Sequence, residues 1–165
     1  MELEELTLLP ISCVNFIWFR ELRKTRFRLK LLVSLHAPSA GGLKLNTDAS
    51  VTVRETYTSL GAVIHDHDSS ALACCSCRIP RILSPKNVEL LAILGGLLFV
   101  RRLGFNIESV ESDALNAVRG ATDSFPLADN ALYLFISDIK TLMRYVNCGT
   151  YHYIPKNGNS VWPIN

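Results

Sequence analysis

The sequence of 165 residues lacks any long hydrophobic run. Its longest uncharged apolar stretch, LLAILGGLLFV at residues 90–100, has 11 residues, whereas a membrane-spanning helix needs about 20. We therefore interpret this stretch as a buried core helix and expect no membrane span. Hydrophobic residues make up 48% of the chain, which is enough for a sizeable core without disulfides or a structural metal.

The sequence also lacks a strong excess of either charge. Residues 1–42 carry six basic and four acidic residues, and residues 43–165 carry eleven of each. The larger part of the chain therefore has no general positive field that would attract nucleic acid. The basic residues concentrate in RELRKTRFRLK, residues 20–30.

Residues 1–42 are predicted to form an amphipathic basic extension that ends in a linker, HAPSAGG. Apolar and basic residues interleave there at helical spacing. Such a helix would contact phosphates or anionic lipid, or it would be a solvated or partner-packed extension. Glu2, Glu4 and Glu5 argue against a mitochondrial presequence, since such peptides are poor in acids. Residues 43–165 are predicted to form the folded domain.

Paired cysteine motifs are missing as well. The cysteines are five in number, and no clear secretory signal precedes them, which predicts reduced thiols and an intracellular location, nuclear or cytoplasmic. The CCSC segment lacks the CxxC spacing of a zinc site, and no second Cys/His cluster complements it. These residues are interpreted as small buried apolar side chains. They are Cys13, Cys74, Cys75, Cys77 and Cys148.

What is present after the linker is a regular pattern of secondary structure. Alternating residues predict strands over 43–53, 58–66 and 71–80, joined by short turns as an antiparallel meander. A helix follows from Ser84, a good N-cap, to Gly104, a good C-terminal stop.

The second half of the chain alternates between strands and helices. The pattern predicts a strand over 105–113, a short helix over 113–120, a helix over 130–146 and a last strand over 149–155. Alternation of this kind implies parallel pairing with helices that cover the sheet, and therefore an α/β fold.

Three carboxylates stand out in this pattern. Asp48 lies in the middle of a strand, where aspartate is disfavoured and has no cap or turn role. Glu89 is expected in the first turn of the long helix, and Asp113 ends a strand. If the three meet at one edge of the sheet, their oxygen atoms suit Mg²⁺ or Mn²⁺. The structural alternatives are a favourable charge near the helix N-terminus for Glu89 and an N-cap role for Asp113.

Five segments follow one another along the chain as LKLNTDAS, LGAVIHDHDS, SPKNVELLAILGGLLFVRRLGF, VESDALNAV and YIPKNGNSV. In this order they resemble the type-1 ribonuclease H-like domains of many plant proteins, which are similar to the ribonuclease H portion of retroelement reverse transcriptases. The resemblance runs from about residue 43 to about residue 161. It implies a mixed sheet, in which an antiparallel three-strand meander is followed by parallel strands, with flanking helices.

The resemblance implies a metal-dependent endonuclease that cleaves the RNA strand of RNA–DNA hybrids. Two Mg²⁺ (or Mn²⁺) ions would be held by carboxylates. Asp48 would bridge both ions, and Glu89 and Asp113 would hold one side. RNA would be selected through 2′-hydroxyl contacts and the shape of the hybrid.

The sequence departs from the family pattern in its last part. Pro163 stands where the family usually has a fourth acid or a histidine, and the final helix is expected to be missing before Asn165. Its loss is expected to expose apolar surface on the sheet, which residues 1–40 would cover. His152 is expected on a strand, and residues 121–129 carry no basic residue. The alternatives are a catalytically weak or inactive nucleic-acid-binding remnant of a retroelement, or an interaction domain.

Overall fold

The computed structural model describes residues 17–20, 37–52, 54, 56–115 and 130–155. These residues form a six-stranded sheet with two helices. The strands are β1 (Ile17–Arg20), β2 (Leu43–Thr52), β3 (Tyr57–Asp66), β4 (Ala71–Ile79), β5 (Ser109–Ser112) and β6 (Thr150–Tyr153), and the helices are α1 (Pro85–Leu103) and α2 (Asn130–Tyr145).

The sheet is mixed, and its strand order is β1-β4-β3-β2-β5-β6. Strands β2, β3 and β4 form an antiparallel meander, whereas β5 pairs parallel to β2 and β6 parallel to β5. The predicted fold class is therefore confirmed, including the change from antiparallel to parallel pairing along the chain.

Helix α1 begins and ends where the sequence predicts. The Ser84 side chain accepts a hydrogen bond from the backbone N–H of Asn87 at 3.4 Å, and Pro85 is the first helical residue. Gly104 closes the helix with a left-handed backbone, at a φ of 70°, and its N–H donates to carbonyls of the last turn. That conformation favours glycine, because it has no Cβ.

The hydrophobic core lies between the two helices and one face of the sheet. Leu45 and Ile64 on the sheet and Ile93 on α1 are 0% exposed. At Gly96 a Cβ atom would lie only 2.7 Å from Thr47 Cγ2, so this glycine allows α1 to pack closely on β2. In the described part of the chain, no helix is long and apolar enough to cross a bilayer.

Three of the cysteines are buried thiols on β4, as predicted. Cys74, Cys75 and Cys77 are free and 5–8% exposed. Burial raises the pKa of Cys75 to about 12 and that of Cys77 to about 11, so both remain protonated at neutral pH. Cys13 lies outside the described residues.

One prediction for the N-terminal extension is wrong. Residues 17–20 form a strand and not part of an amphipathic helix, and this strand pairs antiparallel with β4 from Ile17↔Ser76 to Arg20↔Ala73. A strand pairing of this kind depends on a distant partner, which local periodicity does not reveal. The rest of residues 1–36 and the short helix expected up to residue 120 lie outside the described residues, except Leu115. The domain boundary stays a prediction.

The sheet face opposite the helices is the one that the sequence predicts to need a cover, which residues 1–40 would supply. Its described central residues are buried, not exposed, and most of them are polar. Lys44 is 0%, Asn46 3%, His65 2% and Glu111 1% exposed. An apolar surface left bare by a missing helix is therefore not found at these positions.

Candidate metal centre

The three predicted carboxylates lie close together just beyond the end of β5. Asn46 on β2 is in register with Glu111 on β5, so Asp48 and Asp113 each lie two positions further along these neighbouring strands. Strand β5 ends at Ser112, whereas β2 continues to Thr52. The parallel pairing thus places Asp48 and Asp113 side by side at the end of β5.

Glu89 reaches this place from α1, but it is not in the first turn. It is the fifth residue of the helix, and the first turn contains no acidic residue. The prediction that Glu89 lies in the first turn is therefore wrong. The alternative explanation, that Glu89 only stabilises the helix N-terminus, is weaker as a result, because helix-dipole stabilisation fades beyond the first turn. The close packing of α1 on β2 at Gly96 brings the helix against the strand that carries Asp48.

One carboxylate oxygen from each of Asp48, Glu89 and Asp113 lies within 4.8 Å of the others, and all three residues are partly buried. The backbone N–H of Ala49 donates to Asp48 Oδ1 at 2.8 Å. Carboxylates this close repel one another when all are ionised. A divalent cation would offset that repulsion, and three hard oxygen donors fit Mg²⁺ or Mn²⁺.

A buried polar cluster adjoins the carboxylates on the same two strands. Glu111 Oε2 accepts hydrogen bonds from Lys44 Nζ at 3.2 Å and from Asn46 Nδ2 at 2.9 Å. Sequence reasoning missed this cluster. The available signal was that Lys44, Asn46 and Asp48 alternate along one strand, which places them on one face.

Tyr151 on β6 is a second neighbour that sequence reasoning missed. It is 8% exposed, and burial raises the pKa of its phenol well above the ordinary value. The nearby Ser112 lowers the pKa, and the charges of Glu89 and Asp113 raise it further. The phenol therefore keeps its proton close to the acids. The segment TYHYIP by itself indicates only a strand.

The remaining predicted residues are placed as follows. His152 lies on β6, as expected, and its Nε2 is 3.0 Å from Thr150 Oγ1. Pro163 lies outside the described residues. The N-cap alternative for Asp113 stays open, because the helix it would cap lies outside the described residues beyond Leu115.

A shallow, hydroxyl-rich surface leads away from Asp48 across three strands. Asp48 is in register with Gly61 and Ser76, and the next row on the same face is Ser50, Ser59 and Arg78. The Arg78 guanidinium carbon lies 4.8 Å from the centre of the Tyr57 ring. Hydroxyl groups and an arginine are side chains that bind phosphate oxygens. The depression beside Asp48 is lined by Ala49, Ser50, Ser59, Leu60, Gly61 and Ser76.

Comparison with protein families gives one clear match. A family model described as reverse transcriptase-like matches residues 46–162, which include all three carboxylates. A search of curated proteins finds no match to the sequence.

Three solved structures with a similar fold are ribonucleases H. RNase H1 from the halophilic archaeon Halobacterium salinarum has a TM-score of 0.64 and 17% identity, over 73% of this chain and 91% of that one. The N-terminal RNase H domain of Rv2228c from Mycobacterium tuberculosis has a TM-score of 0.63 and 19% identity, over 72% and 86%. LC11-RNase H1, solved in complex with an RNA/DNA hybrid, has a TM-score of 0.62 and 18% identity, over 72% and 88%. At these identities the likeness establishes a ribonuclease H-like fold.

Proposed function

This chain belongs to the reverse transcriptase-like family and has a ribonuclease H-like fold. We propose that it is a hydrolase that cleaves nucleic acid and that Asp48, Glu89 and Asp113 are its catalytic residues. The observation that carries the proposal is the approach of these three carboxylates to within 4.8 Å. They come from β2, α1 and the end of β5, which are separated by at least 24 positions along the chain. Ionised carboxylates repel one another, and a bound cation would account for their position this close together.

The three carboxylates would hold Mg²⁺ or Mn²⁺. Such ions, when bound, supply an activated water and stabilise the charge that develops on a phosphodiester during hydrolysis. The contribution of the protein is to fix the oxygen donors: the β-sheet holds Asp48 and Asp113, and the helix holds Glu89. The small loss of β-propensity at Asp48, within about 1 kcal/mol, is minor beside the binding energy that a metal site provides.

We propose that the substrate is an RNA–DNA hybrid and that the RNA strand is cut. The support is that LC11-RNase H1, which shares the fold, was solved with an RNA/DNA hybrid. In this chain the hydroxyl-rich surface beside Asp48, with Arg78 at its far side, offers contacts for a nucleic-acid backbone. Discrimination in favour of RNA would depend on 2′-hydroxyl contacts next to the carboxylates.

The test is cleavage of an end-labelled RNA–DNA hybrid with Mg²⁺ or Mn²⁺ by the wild type and by Asp48→Asn. We expect Asp48→Asn to reduce the rate at least about a hundredfold. Asp68→Asn is a matched control, because this carboxylate is 75% exposed in the turn after β3, away from the cluster. Equal rates for wild type and Asp48→Asn would refute the proposal. A labelled DNA duplex and a labelled RNA duplex, assayed in parallel, measure the preference for the hybrid.

Binding of the hybrid by the wild type without any cleavage would also contradict this proposal, and it would support the nucleic-acid-binding remnant instead. The intracellular location, the plant type and the retroelement origin remain predictions from the sequence.

A further inference from the structure

Lys44, Asn46 and Glu111 form a buried polar cluster that joins β2 to β5 immediately before the carboxylates. Both donors are on β2, and the shared acceptor, Glu111 Oε2, is on β5, at 3.2 Å from Lys44 Nζ and 2.9 Å from Asn46 Nδ2. The three residues are 0–3% exposed. The cluster is therefore a side-chain link between the two strands that carry Asp48 and Asp113.

The backbone pairing of β5 with β2 is too short to fix the alignment strongly by itself. Strand β5 has four residues; three register pairs join it to β2, and the Glu108 N–H just before β5 donates to the Leu43 carbonyl at 2.7 Å. A slip by one residue would turn every β5 side chain to the other face of the sheet. A slip by two residues would move Asp113 by about 6.6 Å along the strand. Either change would separate its carboxylate from that of Asp48.

The polar cluster favours the observed alignment. A slip by one residue, or a slip by two that moves Glu111 toward Asp48, would bury Lys44 and Glu111 without each other, which is strongly unfavourable for charged groups. A slip by two in the other direction would place Glu111 opposite Lys44 and keep the ion pair, but it would remove the hydrogen bond from Asn46. The apolar pair Leu45↔Val110, on the opposite face, is less selective, because burial of apolar surface has no directional requirement. Buried polar side chains determine register in the same manner in coiled coils.

We propose that Lys44, Asn46 and Glu111 are positioning residues for the metal centre: they set the register of β2 against β5 and thereby hold Asp48 and Asp113 at metal-binding distance. This inference rests on the proposed function for the role of the carboxylates, and it adds that a second, buried set of residues determines whether they can act together.

The test uses the double variant Lys44→Met/Glu111→Leu, which replaces the ion pair with apolar side chains of similar size. Replacements of this kind often preserve folding, so the fold is expected to remain while the register is no longer specified. We expect Mn²⁺ binding, measured by calorimetry, to weaken at least tenfold. We also expect the nuclear Overhauser contacts between the backbones of residues 46 and 111 to be lost.

The matched control is Leu45→Ala, which truncates a fully buried side chain between Lys44 and Asn46 on the other face of β2. Its folded form is expected to keep the register and the Mn²⁺ affinity of the wild type, although its stability falls. Asn46→Ala removes one hydrogen bond of the cluster and is expected to weaken Mn²⁺ binding about threefold. If the double variant does not fold, the Mn²⁺ affinity of Asn46→Ala shows whether the cluster positions the carboxylates.

A double variant with the wild-type register, or with the wild-type Mn²⁺ affinity, would overturn the inference. Unchanged Mn²⁺ binding by Asn46→Ala would do the same if the double variant is unfolded. A wild-type protein that binds no Mn²⁺ would instead refute the proposed function, and the register measurement alone would then decide whether the cluster aligns the strands.

Discussion

The sheet face opposite the helices has a closed end, with one carboxylate on β5, and an open end, with one carboxylate on β2 and another just beyond β5. At the closed end, Glu111 is 1% exposed and is bound by Lys44 and Asn46, with His65 buried beside them. At the open end, Asp48 and Asp113 are partly buried and meet Glu89 from the helix.

The difference lies in what balances the negative charge. At the closed end the chain supplies its own cation, so the carboxylate stabilises one arrangement of strands. At the open end three carboxylates share a small space, and a divalent ion would balance them. A carboxylate thus stabilises the fold at the closed end. At the open end the carboxylates provide a binding site, although their mutual repulsion lowers the stability of the folded protein.

The largest expected effect is at the closed end. Glu111→Gln leaves the Lys44 ammonium buried without its carboxylate, so we expect the free energy of unfolding to fall by about 3–5 kcal/mol in urea denaturation at pH 7. Asp68→Asn, at a carboxylate that is 75% exposed, is expected to change it by no more than about 0.5 kcal/mol. Similar losses for the two variants would contradict the distinction between buried and exposed acids.

The pH dependence of stability probes the same end. Burial, with the nearby Lys44 charge, lowers the pKa of His65 from 6.5 to about 4, although Glu111 and Asp66 act in the opposite direction. As the pH falls, His65 therefore becomes protonated in the unfolded chain at a higher pH than in the folded protein. The free energy of unfolding thus decreases as the pH drops from about 6.5 to about 4. The expected loss is about 3 kcal/mol.

His65→Leu should remove that part of the pH dependence in denaturation curves recorded between pH 7 and pH 4. His67→Gln should leave it in place, because the His67 side chain is 41% exposed. Wild-type and His65→Leu curves with the same pH slope would show that the pKa of His65 is the same in the folded and unfolded chain.

At the open end we expect a substitution to reduce activity without reducing stability. Asp113→Asn should lower the rate of hybrid cleavage about a hundredfold, while stability at pH 7 stays the same or rises, because repulsion with Asp48 and Glu89 decreases. The measurements are single-turnover cleavage with Mg²⁺ and urea denaturation of the same samples. A loss of stability like that of Glu111→Gln would mean that Asp113 contributes to folding instead.

The smallest expected effect concerns access to the open end. Arg78→Gln should weaken hybrid binding about threefold and reduce the slope of log affinity against log salt by about 0.9, the value for one phosphate contact. Arg101→Gln is the matched control, because Arg101 lies at the same 4.8 Å from an aromatic ring, that of Tyr145, but at the far end of α1. Equal effects of the two substitutions would exclude a local contact with Arg78.

Features that depend on neighbouring residues were predictable from the sequence. The bounds of α1 followed from Ser84, Pro85 and Gly104, since capping is decided within a few residues. Asp48 attracted attention because a carboxylate in a strand interior has no local explanation. The position of Glu89 was also within reach, since counting from the Ser84 cap places it beyond the first turn.

Features that depend on distant partners were not predictable from one sequence. The segment of β1 has mixed apolar and basic neighbours, and its strand form comes from pairing with β4, more than 50 positions away. Lys44 and Glu111 are 67 positions apart, and neither residue shows locally that it will be buried with the other. Tyr151 joins the surroundings of the acids only because β6 lies beside β5.

The pairing of β1 with β4 also affects how the protein can be handled. Without β1, residues 73–76 of β4 would present free backbone amide and carbonyl groups along an outer edge, and such edges recruit strands from other molecules. A shortened protein that begins at Leu43 would keep the proposed catalytic residues and still tend to aggregate. Solubility and the reaction chemistry thus depend on different segments of this polypeptide.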